Sequence, residues 1–386
     1  MTMRRAGRLP WFSRPAPMFR EFSGSKVHVG SDEKAASVNI GSTPRERFAM
    51  YAELSKARLS ALVVVTAGAG YGAGVGPLDP ITFGALAAGT SLAAASANTF
   101  NQWIERNRDK RMKRTCDRPL PSGRISANEA FGWGVFSAGS SVSILAAGTN
   151  PLTAGLGAFN IGLYALPYTL SKPRTEWNTW TGAVVGGIPP VMGWTAAGGD
   201  LFAVEPALLG ATLFLWQFPH FFALAWIHRK DYTRGGHQMV PVNDPSGERT
   251  AALVMNYSLA MLPLPLIASA LDVTSWMYAL EGVAISSYAV YLANDFRKER
   301  SNDNARRVFK CSLWSLPLSL ALFVFHRKYG GEDSTVSGEE TGTQTFFSAI
   351  KAKGKSLCVH EALITPGGGQ KALCPKTDPV TKVPAP

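Results

Sequence analysis

Asn101, Glu105 and Asp109 are oxygen-bearing side chains that stand four residues apart in the chain. Four residues turn an α-helix by about 400°, so the three side chains lie on one slowly drifting face of a helix. Eight Lys or Arg residues and three acids lie within residues 105–124. Oxygen ligands surrounded by basic side chains predict Mg²⁺ held against a diphosphate. The competing interpretation is a solvated helix end whose charges pair with one another.

A second charged segment runs from Arg229 to Gly236. Asp231 offers another carboxylate to a metal ion. Gly235 and Gly236 permit a tight turn with positive φ, through which backbone N–H groups can approach a phosphate. Alone this is an ordinary loop, but beside the first segment it becomes the other half of an anion clamp.

A third segment closes an apolar run with Tyr164, Tyr168, Lys172 and Arg174. Its two basic side chains can neutralise negative charge that develops on a leaving group. The same residue types are also typical of a membrane-helix end, where aromatic and basic residues anchor the helix at the interface. Composition alone leaves both interpretations open.

These segments are positioned by long apolar runs. A helix that crosses a bilayer needs about 20 mostly apolar residues. We predict an all-α membrane bundle of about nine transmembrane helices, which the following runs supply: 59–78, 81–104, two spans within 130–171 joined by a turn at 149–151, 177–199, 206–227, 250–271, 273–294 and 311–325. The run 273–294 carries one acid, Glu281, for which a structural role is expected.

The charges of the loops indicate the orientation of the bundle. When the predicted spans cross the membrane in chain order, one side of the membrane carries the loops 105–129, 171–178, 228–249 and 295–310. These loops are rich in Lys and Arg. The loops on the other side carry no Lys or Arg, which is the positive-inside pattern. The net charge of +12 therefore mostly reflects the basic loops on one side of the membrane. A nucleic-acid partner is not expected.

The two ends of the chain are polar. Residues 1–26 contain five Arg and no acid before Glu21, which predicts a mitochondrial transit peptide, with a disordered basic tail as the alternative. Residues 27–44 are expected to be a polar linker, 45–326 the transmembrane domain and 327–386 a disordered tail. Residues 45–59 are predicted to form an amphipathic helix on the membrane surface.

A weak internal repeat relates two of the helices. Each of two predicted spans ends in a short segment of aromatic and polar residues, 101–103 in one span and 216–220 in the other. A charged loop follows each segment. The first loop contains Asp117 and Gly123, and the second contains Asp244 and Gly247. Four spans separate the two loops, so two parallel four-helix halves would bring both over one central cavity.

These motifs resemble the UbiA-type intramembrane prenyltransferases over about residues 50–326. The family's first motif reads here as Asn101, Glu105, Asp109, Met112, Arg114, Thr115, Arg118, Pro119 and Leu120. The branch of the family that farnesylates protoheme IX is indicated by residues 178–194, 216–220 and 231–236. Gly235 stands where quinone-ring members carry a second Asp, and Pro173 stands where the family commonly has Arg, with Arg174 beside it.

The resemblance implies transfer of a farnesyl group from farnesyl diphosphate to a vinyl group of protoheme IX, giving heme O for cytochrome c oxidase. It implies Mg²⁺ as cofactor and the mitochondrial inner membrane as location, with the charged loops facing the matrix. Asn101, Glu105, Asp109 and Asp231 would hold the metal, and these four with Lys172 would be catalytic. The substrate-binding residues would be Arg114, Arg118, Tyr168, Arg229, His220 and Trp226.

Among these, His220 is the candidate for contact with heme, and a hydrogen-bonded helix histidine is the competing interpretation. Heme A synthase or oxidase assembly factors are compatible partners, and the oligomeric state is left open, a homo-oligomer included. An alternative function of the same class is prenylation of an aromatic or quinone ring. A transporter or a non-catalytic heme-handling protein is the alternative of another class, and acids at one mouth rather than at the midplane argue against transport.

Overall fold

The structure is a computed structural model that describes residues 43–328. The predicted transit peptide, nearly all of the predicted linker and nearly all of the predicted tail lie outside these residues. Within 43–328 the regular structure is helical, apart from a single antiparallel bridge between Thr274 and Arg327. The all-α prediction is confirmed.

The helices follow one another with short connections. Their bounds are α1 Pro44–Leu54, α2 Ala57–Gly72, α3 Pro80–Asp109, α4 Ala127–Gly148, α5 Pro151–Leu163, a π-helical turn Tyr164–Tyr168, α6 Thr169–Ser171, α7 Asn178–Ala196, α8 Val204–Ile227, α9 Arg229–Gly235, α10 Val240–Asn243, α11 Glu248–Met261, α12 Pro263–Ala270, α13 Trp276–Lys298 and α14 Asn302–Phe325.

Five helical stretches of the described chain are long and apolar enough to cross a membrane: α3, α4, α8, α11 with α12, and α14. Each predicted span has a helical counterpart within 43–328, but α2 has only 16 residues and α5 has only 13. The count of nine crossings therefore stays a prediction. Large apolar side chains such as Ile81, Phe136 and Phe159 remain exposed on these helices, as a lipid-facing surface requires.

The start and the length of α3 set the depth of the acid-bearing face. Asp79 caps the helix by accepting hydrogen bonds from the N–H groups of Ile81 and Thr82, and Pro80 occupies the first turn, where no N–H is needed. The 30 residues of α3 span about 45 Å, whereas the hydrocarbon core is about 30 Å thick. The last turns of α3, which carry Glu105 and Asp109, therefore emerge at the basic side.

The helices pack in an order that repeats. α3 lies between α2 and α4, and α4 packs on α5; in the second half α8 lies between α7 and α11, and α11 with α12 packs on α13. The halves meet where α2 packs on α7. There a Cβ on Gly70 would lie 1.9 Å from the carbonyl oxygen of Pro190, and one on Gly193 would lie 1.8 Å from that of Ala67. Glycine is required at both positions because the two backbones touch.

The structure differs from three predicted boundaries. The surface helix predicted over 45–59 ends at Leu54, because Lys56 adopts a left-handed conformation with φ 47° before α2 begins. The run 250–271 is divided at Leu262, where Pro263 starts a new helix without an N–H to donate. The last helix starts at Asn302, nine residues before the predicted start at 311, because polar residues extend α14 into the basic side.

Candidate active site

The polar face of α3 is buried at one end of the helix bundle, the end that carries the basic loops. We call this end the mouth. Asn101, Glu105 and Asp109 are exposed by only 1%, 4% and 2%, respectively. The Asn101 Nδ2 donates to Glu105 Oε2 at 2.9 Å, which shows that side chains four residues apart share one face. The spacing predicted this arrangement. Acids buried at the mouth of a membrane bundle require partners, because an uncompensated buried charge is costly.

Two cations from other segments supply these partners. Lys172 Nζ lies 3.0 Å from Glu105 Oε2, and Arg118 lies 2.9 Å from Asp109 Oδ2. Burial lowers the pKa of Lys172, but the attraction of Glu105 outweighs burial and the net pKa is raised. We call Asn101, Glu105, Asp109, Arg118 and Lys172 the mouth cluster. The solvated-helix-end interpretation also predicts ion pairs among these charges. It does not predict that the carboxylates of the pairs are buried, as they are here.

A π-helical turn positions Lys172. Pro167 lies inside this turn, where its missing N–H and its ring interrupt regular α-helical bonding. The altered register brings Thr169 Oγ1 within 3.1 Å of Asn101 Nδ2, and places Lys172 Nζ 4.6 Å from the centroid of the Tyr168 ring. Tyr168 and Lys172 are therefore brought together beside the acid-bearing face, and their roles in the site stay predictions.

The loop after α3 folds back on the helix that it leaves. Thr115 Oγ1 donates to the carbonyl oxygen of Asp109 at 3.0 Å, and Met112 and Leu120 are buried beneath the loop. This fold-back returns Arg118 to Asp109. The Arg114 guanidinium donates to the hydroxyl of Tyr232 at 2.9 Å and so joins the second loop to the first.

The two charged loops meet on one side of the bundle. Asp231 Oδ1 accepts from the N–H of Lys113 at 2.8 Å, and its Oδ2 accepts from the N–H of Arg114 at 3.2 Å. Arg234 lies 3.9 Å from the same carboxylate. Both oxygens of Asp231 thus bond to the backbone of the first loop, and its predicted role as a metal ligand stays a prediction.

Two residues of the mouth were not among the predicted site residues. Lys56, between α1 and α2, extends Nζ to within 3.4 Å of Asn101 Oδ1. Burial, with the neighbouring charges of Arg118 and Lys172, lowers the pKa of Lys56 to about 7. His237 follows the Gly235–Gly236 turn and is only 4% exposed, and its burial lowers its pKa. The only sequence feature that pointed to a role for Lys56 was its place shortly before the uncharged run 59–78. No sequence feature indicated that His237 is buried.

Three predicted substrate-binding residues lie elsewhere. Arg229 stacks on Trp226 at 4.1 Å and donates to Asn302 Oδ1 at the start of α14. Trp226 is buried in the core between α8, α11, α13 and α14. His220 bonds through Nδ1 to Ser312 Oγ at 2.8 Å and stacks on Trp216. Arg229 and His220 contact α14, Trp226 packs on Phe296 of α13, and the structure does not bring the three side chains to the mouth cluster.

The donors of the mouth cluster fit a magnesium ion that is shared with a substrate. Among residues 43–328 no three His, Cys, Asp or Glu side chains converge closely enough to hold a metal ion by themselves. Mg²⁺ is usually bound by one or two carboxylates together with water and phosphate oxygens, rather than by a protein cage. Glu105 Oε1 is buried and has no hydrogen-bond partner in the described part of the chain, so one carboxylate oxygen is available to such an ion.

A helical membrane bundle with a buried acid face and basic loops at one mouth is the architecture of an enzyme that handles a charged lipid. Residues 61–316 match the model of the UbiA prenyltransferase family, and the chain belongs to that family. The resemblance expected from the motifs is confirmed.

Curated relatives bear related names. The chain is 46% identical over 284 residues to human "Protoheme IX farnesyltransferase, mitochondrial", a match that covers 73% of this chain and 63% of that protein, less than two thirds of its length. It is 39% identical to "Protoheme IX farnesyltransferase" of Opitutus terrae, over 73% of this chain and 96% of that protein.

Solved structures share the fold. A digeranylgeranylglyceryl phosphate synthase matches with a TM-score of 0.62 and 16% identity over 73% of this chain and 98% of that one. A UbiA homolog from Archaeoglobus fulgidus, solved with GPP and Mg²⁺, matches with a TM-score of 0.54 and 15% identity over 71% of this chain and 99% of that one. At this identity the likeness concerns the fold alone.

Proposed function

We propose that this chain transfers the farnesyl group of farnesyl diphosphate to a vinyl group of protoheme IX and so produces heme O for cytochrome c oxidase. The observation that carries the proposal is the mouth cluster, in which buried acids and partly buried cations face one another at the end of a lipid-embedded bundle. The names of the relatives support the choice of acceptor.

The diphosphate group would bind at the mouth while the isoprenoid tail extends into the apolar bundle. Lys172 and Arg118 are already in place and would exchange part of their contact with carboxylates for contact with phosphate oxygens. Charge-assisted hydrogen bonds of this kind are roughly twice as strong as neutral ones. Arg114 and Lys56 lie at the edge of the same space and would add further positive charge.

Asn101, Glu105 and Asp109 would hold Mg²⁺ through their oxygens, with Asp231 as the more distant candidate ligand. When bound, the metal ion supplies positive charge that neutralises the diphosphate oxygens. Because few carboxylates converge on one point, we expect the ion to arrive with the diphosphate rather than to reside in the empty protein.

The chemistry begins when the bond between C1 of the farnesyl group and the diphosphate oxygen breaks and the electron pair leaves with the diphosphate. Lys172 and Arg118 stabilise the charge that grows on this leaving group, and they bind the transition state more tightly than the substrate. The aromatic face of Tyr168, beside Lys172, would shield the allylic cation from water.

The π electrons of the heme vinyl group then attack C1 and form the new C–C bond. The positive charge that this leaves beside the porphyrin ring is quenched by water, which loses a proton and leaves the hydroxyl of the hydroxyethylfarnesyl arm. One diphosphate is released for each water consumed. His220 is the candidate for contact with the heme, because its Nε2 has no hydrogen-bond partner among residues 43–328 while Nδ1 is bonded to Ser312.

The proposal places the protein in the mitochondrial inner membrane with the mouth cluster on the matrix side. The positive-inside distribution of the loops supports the orientation, and the Arg-rich residues 1–26 and the mitochondrial names of several relatives support the organelle. Heme A synthase or oxidase assembly factors are natural recipients of the product, because they act on the modified heme.

The decisive experiment expresses the full chain in a membrane that lacks this activity, supplies heme and farnesyl diphosphate, and identifies the extracted pigment by mass. The proposal predicts a heme heavier by one farnesyl group and one hydroxyl group. The Asp109→Asn variant should bind heme and leave it unmodified. A prenylated quinone ring with unmodified heme would favour the ring-acceptor alternative, and unchanged function of Asp109→Asn would favour a non-catalytic protein.

A further inference from the structure

Two side chains at the mouth each carry a fully buried polar atom without a hydrogen-bond partner in the described chain: Glu105 through Oε1 and His237 through Nδ1. Buried polar groups are nearly always paired, because an unpaired one loses its bonds to water and gains nothing in return. Both atoms border the mouth cluster and are available to a ligand that both accepts and donates.

The second loop is built to hold His237 in this position. Gly236 adopts a φ of +68°, which turns the chain inward after α9. A Cβ on Gly235 would lie 2.6 Å from Met112 Sδ and 2.9 Å from His237 Cδ2, so a larger residue there would displace Met112 or His237. The two glycines that the sequence assigned to a phosphate-binding turn also orient a histidine.

Contacts on both sides of His237 keep the loop against the site. The backbone N–H of the next residue, Gln238, donates to the carbonyl oxygen of Lys172 at 2.7 Å. The Tyr232 ring stands nearly perpendicular to the imidazole with centroids 5.9 Å apart. Glu105, Lys172 and Asp109 are all within electrostatic range of the ring. His237 therefore borders the mouth cluster.

We propose that His237 is a diphosphate-binding residue whose Nδ1 donates a hydrogen bond to a terminal phosphate oxygen. The inference rests on the proposed function, in that the ligand is a metal diphosphate. The two unpartnered atoms serve opposite parts of this ligand, since Glu105 Oε1 suits the cation and His237 Nδ1 suits the anion. A free carboxylate alone would bind a cation but would repel the phosphate that accompanies it.

The rival interpretation is a packing histidine that only supports Met112 and Tyr232. Two variants separate it from a binding role. His237→Phe retains an aromatic ring in the same volume and removes both nitrogens. His237→Asn is smaller and packs less well, but keeps a polar atom near the position of Nδ1. A packing role predicts that Phe is the better substitute, and a binding role predicts that Asn is.

The test measures binding of inorganic pyrophosphate, with Mg²⁺ present, to the purified full-length protein by titration calorimetry. We expect His237→Phe to weaken binding about tenfold or more, the effect of losing a hydrogen bond to a charged group, and His237→Asn to stay within about threefold of the parent protein. His228→Asn is the matched control, because His228 is a half-buried histidine of the same loop, and it should bind normally.

Pyrophosphate binding by His237→Phe at the parent affinity would overturn the proposal, and so would an equal loss in both His237 variants. Because the measurement uses neither heme nor a prenyl chain, it is separate from the choice of acceptor. If the parent protein binds pyrophosphate in a His237-dependent manner but yields no modified heme, the proposed acceptor fails and this inference stands. If the parent protein does not bind pyrophosphate, both the site and the inference are wrong.

Discussion

The carboxylate of Asp231 accepts a hydrogen bond from the backbone N–H of Arg114, a residue 117 positions earlier in the chain, at 3.2 Å. The adjacent N–H, that of Lys113, donates to the other oxygen at 2.8 Å. One side chain of the second loop thus fixes the backbone of the first. The two halves of the predicted clamp are joined by a carboxylate before any ligand is bound.

Replacing Asp231 by Asn should loosen this junction. Asparagine keeps one acceptor oxygen, loses the other together with the negative charge, and presents an NH2 group to a backbone N–H. Loss of a charge-assisted hydrogen bond costs about 1.5–3 kcal/mol. We expect faster tryptic cleavage within residues 106–124, measured by limited proteolysis, and weaker binding of farnesyl diphosphate.

Asp117→Asn provides the control for that experiment. Asp117 is an exposed acid of the first loop, so its replacement also removes one negative charge near the cleavage sites but leaves the bonds from the N–H groups of Lys113 and Arg114 to Asp231 in place. Equal rates of cleavage in the two variants would show that Asp231 does not order the first loop.

The buried pair of Glu105 and Lys172 should behave as a coupled unit. Removal of one partner from a buried ion pair leaves an uncompensated charge and costs about 3–5 kcal/mol. Glu105→Gln and Lys172→Gln should each lower the thermal stability of the detergent-solubilised protein. The double variant should be less destabilised than the sum of the two, because it leaves neither charge alone.

The exposed pair of Arg124 and Glu53, joined by two hydrogen bonds, offers a matched comparison for this double-variant cycle. Its side chains are 42% and 43% exposed, and an exposed pair contributes about 0.2–1 kcal/mol. A coupling energy for Glu105 and Lys172 no larger than that of the exposed pair would contradict a buried, energetically linked site.

Much of this arrangement was predictable from local patterns. The uncharged run 81–104 after the Asp79–Pro80 cap predicted the course of α3, and the spacing of four residues predicted that Asn101, Glu105 and Asp109 share a face. The turn at 149–151 is confirmed, because Asn150 caps α5 and Pro151 occupies its first turn. These features depend on neighbouring residues in the chain, and so a sequence reveals them.

Other features depend on contacts between distant segments. α8 is apolar on nearly all sides, so periodicity did not reveal that His220 bonds to Ser312 of α14 or that Trp226 is buried against Phe296 of α13. Lys56 contacts Asn101 because its backbone adopts a left-handed conformation. No local sequence pattern predicts that conformation. The burial of His237 follows from the packing of Met112 against Gly235, which belong to different loops.

Removal of divalent metal ions should abolish prenyl transfer without unfolding the protein. Lys172 and Arg118 pair with the acids of the mouth cluster, so these contacts do not depend on a metal ion and chelation should leave the thermal unfolding midpoint almost unchanged. Activity of the parent protein should return on addition of Mg²⁺, whereas Asp109→Asn should stay inactive at the same Mg²⁺ concentrations. Full activity in the presence of excess chelator would refute the metal diphosphate clamp.

His220 gives a test of the acceptor side that is independent of the diphosphate. Ser312→Ala removes the hydrogen bond to Nδ1 and keeps the imidazole, whereas His220→Ala removes the imidazole. If Nε2 contacts heme, the absorption spectrum of the heme-loaded protein should change strongly in His220→Ala and only slightly in Ser312→Ala. Identical spectra in the two variants and the parent would restrict His220 to packing between Trp216 and Phe309.

Asp244 should make the second half of the bundle sensitive to acid. Burial raises the pKa of its carboxyl, but hydrogen bonds from Thr250, Ser246 and Gly247 outweigh burial and the net pKa is lowered. A carboxyl with a lowered pKa stabilises the fold above its ordinary value near 4, and this contribution is lost as the pH falls through the lowered pKa.

The thermal unfolding midpoint of the parent protein should therefore fall as the pH is lowered below about 4.5. Asp244→Asn should be less stable at neutral pH, by about 1–3 kcal/mol, and should show a shallower dependence on acid. Asp303→Asn is the control, because that side chain is 86% exposed and its pair with Arg306 contributes little. Parallel pH profiles for the parent and Asp244→Asn would mean that the Asp244 carboxylate does not hold the start of α11.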